Sequence, residues 1–328
     1  MFEGTICLIT GGTGSWGKEL TRKLLAMDPK EIRIFSRNES AQVAMQRSLN
    51  DQRLRFIIGD VRELSALTDA CKDVDYVFHL AALKHVPICE KQPDEALKTN
   101  VLGTENVIKA SIAQGVKKVI DVSTDKAVDP VNFYGMTKAY AEKLMIRANF
   151  LGEATRFVCV RGGNVLGTQG SIVPYFRELI RQDKNIPITS PLMTRFFLTV
   201  SEAIELLLKA SAESQGGEIF VMKMKTCNII DLAEVLIEKL STSTLQTYEI
   251  GIRLGEKLHE VLVSEFEVHR TYQFGSHNFV ILPEMISPEL TAKYAALPKA
   301  AFIKYHSNHD LMSKSQIQEL LRKGGFLD

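Results

Sequence analysis

No apolar run in this chain approaches the roughly 20 residues that cross a bilayer as a helix. A dominant charge is missing as well. The 328 residues carry 40 basic and 39 acidic side chains, a formal net charge of +1. So balanced a chain makes no global electrostatic case for nucleic acid or an anionic membrane as its main partner. Any anion it binds must be held by a local site. Cysteine is sparse: Cys7, Cys71, Cys89, Cys159 and Cys227 are scattered, odd in number and form no CxxC pair. This excludes a disulfide framework and a zinc ribbon, and it favours reduced, buried thiols in a cytoplasmic protein. His85 has no His or Cys at ligand spacing, so no metal is expected. The opening MFEGTICLITGGTG lacks a basic start and runs straight into glycines, unlike a signal peptide. Repeats, low-complexity tracts and Gly/Ser linkers are absent too.

What is present is a regular alternation. Strand-like runs read TICLITG (5–11), EIRIFSR (31–37), RFIIGD (55–60), YVFHLAA (76–82), KKVIDVST (117–124) and RFVCVRGGN (156–164). Helical periodicity marks WGKELTRKLLAM, ELSALTDACK, DEALKTNVLGTENVIKASIAQG and YGMTKAYAEKLMIRANFLG between them. Short β-rich runs separated by amphipathic helices imply a parallel sheet covered on both faces. That is a doubly wound α/β fold of the Rossmann kind, with right-handed crossovers. The second half is less regular. Helices are expected at 171–184, 200–214, 228–240 and 313–325, the last capped by Ser313 or Ser315. Small strands are expected at EIFVMK (218–223) and YEIGIR (248–253).

Two constellations carry chemistry. LITGGTGSWGKEL (8–20) places Gly11, Gly14 and Gly17 between a strand and a helix. Glycines there let backbone N–H groups approach a pyrophosphate, and the helix points its positive end at it. Thr13, Ser15 and Trp16 line the same loop. The second strand ends in Ser36 and Arg37, where an acidic residue would select NAD through its ribose. A serine and an arginine suit a 2′-phosphate, so NADP is expected and NAD is less favoured. Asp60 and Val61 are placed to touch the adenine, and Leu80, Ala81 and Ala82 to line the dinucleotide.

The second constellation is STDKAVDPVNFYGMTK (123–138). Tyr134 and Lys138 stand at i and i+4, hence on one helix face. An ammonium beside a phenol is expected to lower the tyrosine pKa, fitting it to take a proton from a sugar hydroxyl. Ser123 or Thr124 is placed to hydrogen-bond that hydroxyl.

These motifs resemble those of the extended short-chain dehydrogenase/reductase superfamily, and more closely its soluble UDP-N-acetylglucosamine 4,6-dehydratases. The blocks that carry the resemblance span the chain: FSRNE, GDVRE, AALKHVPICEKQPDEALKTNVLGTENV, STDKAVDPVN, RGGNVLGTQGSIVPYF, MTRFFLTVSEA and GIRLGEKLHE. The resemblance implies bound NADP that is not consumed. Tyr134 and Lys138 would oxidise sugar C4, Lys126 would take the C5 proton if its surroundings keep it partly neutral, and Asp125 would protonate the departing C6 hydroxyl. Hydride would return to C6, giving a UDP-4-keto-6-deoxy-N-acetylhexosamine. Asn164, Arg195 and Arg253 would hold the diphosphate, Glu256 the uridine ribose, and Lys84 and His85 the hexose. It also implies an NADP-binding part at 1–165 with a returning segment near 196–227, a mainly UDP-sugar-binding part at 166–328, and a homo-oligomer paired through helices at 94–114 and 134–151.

There is one departure: Gly162 stands in RGGNV where the family pattern is RYGNV. Tyr134 also varies, being methionine in some members, so C5 retention or inversion stays open. Two other readings remain: a UDP-hexose 4-epimerase, which needs Tyr134 and Lys138 but not Asp125 and Lys126, and a non-catalytic NADP-binding regulator.

Overall fold

Six strands of the first half pair side by side, all parallel: β1 (Ile6–Thr10), β2 (Glu31–Ser36), β3 (Leu54–Ile58), β4 (Tyr76–His79), β5 (Lys118–Thr124) and β6 (Arg156–Gly162). The computed structural model describes residues 1–151, 154–168 and 170–327. The six strands run in the order 3-2-1-4-5-6 within a nine-stranded sheet. This is the doubly wound order, with the crevice for a ligand where the strand order reverses beside β1. Strand burial follows position. Every residue of β1 is buried, whereas β3, at the sheet edge, is only partly so. A strand covered by helices on both faces needs apolar residues throughout, which is why these runs do not alternate.

Beyond β6 the chain leaves and returns. Asn164–Val165 joins a three-stranded sheet with Thr194–Leu198 and Lys225–Asn228. The helix Val200–Glu213 then packs on β5 and β6, and Ile219–Met222 pairs parallel to β6. An antiparallel hairpin, Thr271–Phe274 with Asn278–Ile281, completes the large sheet. The sequence reading did not anticipate this hairpin, whose strands are short and whose turn turns on Gly275 at φ 67°. YEIGIR is strand only over Thr247–Glu249, paired with Ile186–Ile188; Gly251, at φ 84°, ends it. Helix Glu39–Leu49 was also not read from the sequence; Asn38 caps it by accepting from the Ala41 N–H. At the far end Ser313, not Ser315, caps Lys314–Lys323 through a capping box with Gln316.

The expected helix across 94–114 is present but irregular. Pro93–Ala96 and Gly103–Ala113 are α-helical and Leu97–Leu102 between them is a π-turn. Such turns rotate a side chain out of the regular ladder. Here the one concerned is Asn100, buried, whose amide clamps both backbone groups of Leu83 and donates to Thr137 Oγ1 at 3.0 Å. All five cysteines are buried and unpaired. Among the described residues no helix is long and apolar enough to cross a membrane.

Candidate active site

The glycine loop is shaped by close backbone approach. Gly11 has φ 67° and donates its N–H to Phe35 O at 2.8 Å. A Cβ on it would stand 2.8 Å from the Ala81 backbone nitrogen, so the Leu80–Ala82 segment crosses directly against it. A Cβ on Gly17 would collide with Gly12 O. The helix Ser15–Leu25 begins with no side-chain cap and no acidic residue in its first turn. Its first N–H groups therefore have no side-chain acceptor, and the residues present fit a dinucleotide pyrophosphate. Gly162 faces this loop: its Cβ would sit 3.4 Å from the Trp16 ring. Trp16 thus borders the space that the family pattern gives to a tyrosine.

At the end of β2, Ser36 is buried and accepts from Gln42 Nε2 at 3.0 Å. Arg37 is exposed and stands 3.6 Å from Asp60. Asp60 is more tightly engaged by Arg62, at 2.6 Å. Although burial opposes it, the Arg62 hydrogen bonds hold the Asp60 carboxyl below its usual range. Two guanidinium groups therefore flank Asp60, and Arg62 was not singled out from the sequence, although it lies in GDVRE. Val61 is buried against Gly103.

The catalytic candidates converge at the end of β5. Thr124 Oγ1 donates to Asp125 Oδ1 at 2.9 Å, while Ser123 points elsewhere, donating to Glu142 Oε1 at 2.5 Å. The sequence left Ser123 and Thr124 open; only Thr124 faces this cluster. Asn132 caps the helix Phe133–Ala148 by accepting from the Gly135 N–H at 2.7 Å. A Cβ on Gly135 would strike Lys126 O, so only glycine lets this helix lie against the Asp125–Lys126 turn. Tyr134 and Lys138 are both buried on the inner face.

Two expectations about protonation are corrected. Burial pushes the Tyr134 phenol up, outweighing the downward pull of Lys138 and Lys126. Lys138 is itself anchored elsewhere: its Nζ lies 3.2 Å from both oxygens of Asp121 on β5. Burial opposes the Lys138 ammonium, but Asp121 outweighs it and raises the pKa. Burial lifts Asp121 in turn to about 6. Lys126 also departs from the expected partial neutrality. Burial opposes its ammonium, yet Asp125 at 3.0 Å and Glu260 at 3.3 Å hold it protonated. Asp125, fully buried, is raised by burial and by the charge of Glu260.

A polar seam runs under the Tyr134 helix. Lys138 and Glu142, at i and i+4, meet Asp121 and Ser123, two apart on the strand. Arg161 on β6 then bridges Glu142 and Glu267, each at 2.7–2.8 Å, so the seam ties both halves of the chain. Asp121 and Glu142 were not read from the sequence. A charge inside an otherwise apolar strand was the available signal for Asp121, and helical spacing from Tyr134 and Lys138 for Glu142.

The residues assigned to substrate are placed as follows. Arg195 is buried; its Nη1 donates to Thr194 O at 2.7 Å and Leu258 O at 3.2 Å, and its Nε lies 3.7 Å from Glu260. The fork expected at a diphosphate is here directed at backbone carbonyls and Glu260. Arg253 is exposed, and its N–H donates to Glu256 Oε2 at 3.2 Å. Asn132 Nδ2 donates to Gly255 O at 2.8 Å, which brings that turn beside the Tyr134 helix. Asn164 is half-buried where the chain passes from the large sheet to the small one. A Cβ on Gly170 would stand 2.5 Å from the His85 ring, so His85 lies against Gly170. Burial lowers the Lys84 pKa. Among the described residues no His, Cys, Asp and Glu cluster could hold a metal ion.

A doubly wound sheet with a capless glycine loop at its switch point, and an Asp-Lys and a Tyr-Lys pair at the end of β5, defines a class. The chain belongs to the polysaccharide biosynthesis protein family, whose profile matches residues 7–281, within the extended short-chain dehydrogenase/reductase fold. Among its relatives is a UDP-N-acetylglucosamine 4,6-dehydratase (inverting) of Campylobacter jejuni, strain 81-176, 45% identical over 87% of this chain and 85% of that one. A protein of Rickettsia bellii named UDP-glucose 4-epimerase is 42% identical over 98% of this chain and 96% of its own. The X-ray structure of Pen from Bacillus thuringiensis superposes over 100% of both chains, with 36% identity and a TM-score of 0.94. The resemblance read from the sequence is thus shown by the family match and by similarity over most of the chain.

Proposed function

We propose that this protein is a sugar-nucleotide 4,6-dehydratase, acting on UDP-N-acetylglucosamine with bound NADP. The observation that carries this reading is the pair Asp125 and Lys126, in hydrogen-bond contact at the end of β5 beside Tyr134. A C4 epimerase needs no such acid and base. In its phenolate form, which the Lys138 and Lys126 ammonium groups favour, Tyr134 takes the proton of the C4 hydroxyl, with Thr124 orienting that hydroxyl. The nicotinamide, when bound, takes up the C4 hydride and returns it at C6. The C4 ketone acidifies the C5 proton. Passing one proton from Lys126 Nζ to Asp125 across their 3.0 Å contact leaves an amine and a carboxylic acid side by side. The C5–H bond then breaks and its proton goes to Lys126, while its electrons form the C5–C6 double bond. The C6–O bond breaks with its pair on oxygen, which leaves as water with the proton of Asp125. Reprotonation of C5 by Lys126 from the same face retains configuration; delivery from the other face inverts it.

Arg253 is the exposed candidate for the diphosphate, with Asn164, Glu256, Lys84 and His85 around the sugar nucleotide. Arg195 serves the Glu260 side of the site. Arg37 and Arg62 support NADP over NAD. Arg37→Ala is expected to weaken NADP binding about 10-fold or more, the scale of a lost charged hydrogen bond, and to leave NAD binding unchanged. Titration of both cofactors by protein fluorescence checks this, and equal losses would remove the 2′-phosphate assignment. The expected homo-oligomer is supported by Leu97, Leu102, Met136 and Tyr140, which are exposed on the two helices expected to pair. Unpaired, buried cysteines suit a cytoplasmic setting.

The deciding experiment is incubation with UDP-N-acetylglucosamine and catalytic NADP⁺ in D₂O, followed by proton NMR. A new C6 methyl with deuterium at C5 and no net NADPH is expected. Coupling constants give the C5 configuration. A C4 epimer without a methyl would establish the second reading, which the Rickettsia relative's name favours.

A further inference from the structure

Gly162 has no backbone reason to be glycine. It ends β6 in regular register opposite Thr124, and its φ is not positive. A Cβ on it would meet only two atoms within 4 Å, Cη2 and Cζ2 of Trp16, at 3.4 and 3.6 Å. An aromatic side chain there would compete with the indole for the same space. The contact is with one edge of the indole, so β6 takes neither of its faces. Gly163 offers no alternative, because a Cβ there would stand 2.6 Å from Phe196 Cβ. Trp16 therefore supplies an aromatic surface at this strand end. It is the second residue of the helix Ser15–Leu25, whose first N–H groups have no side-chain acceptor. Its ring packs on two core clusters, yet it stays half-buried rather than sealed. The side chain thus starts where a pyrophosphate fits and ends at Gly162, one strand spacing, about 4.8 Å, from Thr124. In the strand order 3-2-1-4-5-6 the half built on β4 to β6 takes the nicotinamide end of a dinucleotide.

We propose that Trp16 is a positioning residue for the hydride steps: its open indole face receives the nicotinamide ring beside Thr124 and favours that ring in its oxidised, positively charged form. This rests on a bound nicotinamide dinucleotide and deepens that reading, whichever sugar reaction follows. The face of tryptophan attracts a cation more strongly than that of tyrosine or phenylalanine. Oxidised nicotinamide carries a positive charge on its ring, and hydride uptake removes it. The attraction is therefore lost when hydride arrives from the sugar and regained when it leaves. Such a bias suits a cofactor that ends every turnover in the form in which it began.

Trp16 is the only tryptophan in the chain, so all indole emission comes from it. The full chain, stripped of nucleotide, is titrated with NADP⁺, with NADPH and with 2′-phospho-ADP-ribose, which lacks the nicotinamide. The NAD⁺, NADH and ADP-ribose series is run in parallel, and calorimetry gives each affinity. At saturation NADP⁺ is expected to quench the emission and to raise a charge-transfer absorbance band, and 2′-phospho-ADP-ribose to do neither. In Trp16→Leu the ratio of NADP⁺ to NADPH affinity is expected to fall about tenfold, the scale of a desolvated cation–π contact, with 2′-phospho-ADP-ribose binding unchanged. Trp16→Phe is expected to keep most of that ratio. An equal loss for all three ligands would mark the indole as packing alone and overturn the proposal. So would NADP⁺ binding with no quenching beyond that of 2′-phospho-ADP-ribose, and this wild-type titration decides should Trp16→Leu not fold. Binding of neither series would overturn the dinucleotide reading as well.

Discussion

Lys126→Ala is expected to slow C6 methyl formation and C5 deuterium uptake by about 10²–10⁴-fold, the range for removal of a positioned acid or base. C4 oxidation should survive, because Tyr134 and Lys138 are held independently. Lys138 is fixed by Asp121 and the helix by Asn132, with no contribution from the Lys126 side chain. The measurement separates the steps: reduced nicotinamide accumulates transiently while the NMR methyl signal stays absent. Equal loss of both signals would show that Lys126 serves the oxidation as well, and the division of labour between the two pairs would fail. The variant leaves Asp125 and Glu260 without their shared cation, two buried carboxylates that keep Arg195 and Lys257 nearby. Thermal melts at neutral pH should accompany the kinetics, so that misfolding is not mistaken for lost chemistry.

Arg161→Met is the second large effect, and it falls on stability. Arg161 is buried and joins Glu142 and Glu267 through four charged hydrogen bonds. Removing the cation leaves Glu142 with the Ser123 hydroxyl and Glu267 with Arg270 at 3.7 Å, and breaking such a buried pair costs about 3–5 kcal/mol. That is a large part of the roughly 5–15 kcal/mol that holds a domain folded. Urea unfolding at neutral pH should show the loss. The pH dependence has a definite sign. In the native protein burial opposes the Glu267 carboxylate, but Arg161 outweighs it and lowers its pKa from 4.5 to about 2. A depressed carboxylate stabilises above its unfolded pKa and loses that contribution as pH falls through the folded one. Wild-type stability should therefore decline between about 4.5 and about 2. In Arg161→Met the Glu267 carboxyl loses that pull while burial still opposes its charge, so the gap to wild type should narrow in acid. A gap that is constant across this range would mean that packing, not charge, makes Arg161 important.

How much of this was legible beforehand depends on the range of each interaction. The six parallel strands were, because a strand covered on both faces is mainly apolar, and β1 is throughout, while β5 and β6 are so around Asp121 and Arg161. The glycine loop was, because its spacing between a strand and a helix is local and Gly17 answers a contact with Gly12, whereas the contact of Gly11 with Ala81 is set by the fold. Tyr134 with Lys138, and Asp125 with Lys126, were visible because four residues make a helix turn and adjacent residues share a strand end. The Thr271–Ile281 hairpin was not, since short antiparallel strands at a sheet edge carry little periodic signal.

Charge is where sequence and structure part. The sequence alone determined which groups stand at the end of β5, since chain connectivity and local periodicity put them there. Tertiary structure alone decided their protonation. Lys126 is held as an ammonium by its neighbour Asp125 and by Glu260, which arrives from a distant segment, Lys138 is anchored because Asp121 faces inward beneath it, and Tyr134 is raised because its surroundings are dry. Arg195 turns to Glu260 and to backbone carbonyls for the same reason. Burial and pairing act through space and fall off within a few ångströms, so no spacing along the chain records them.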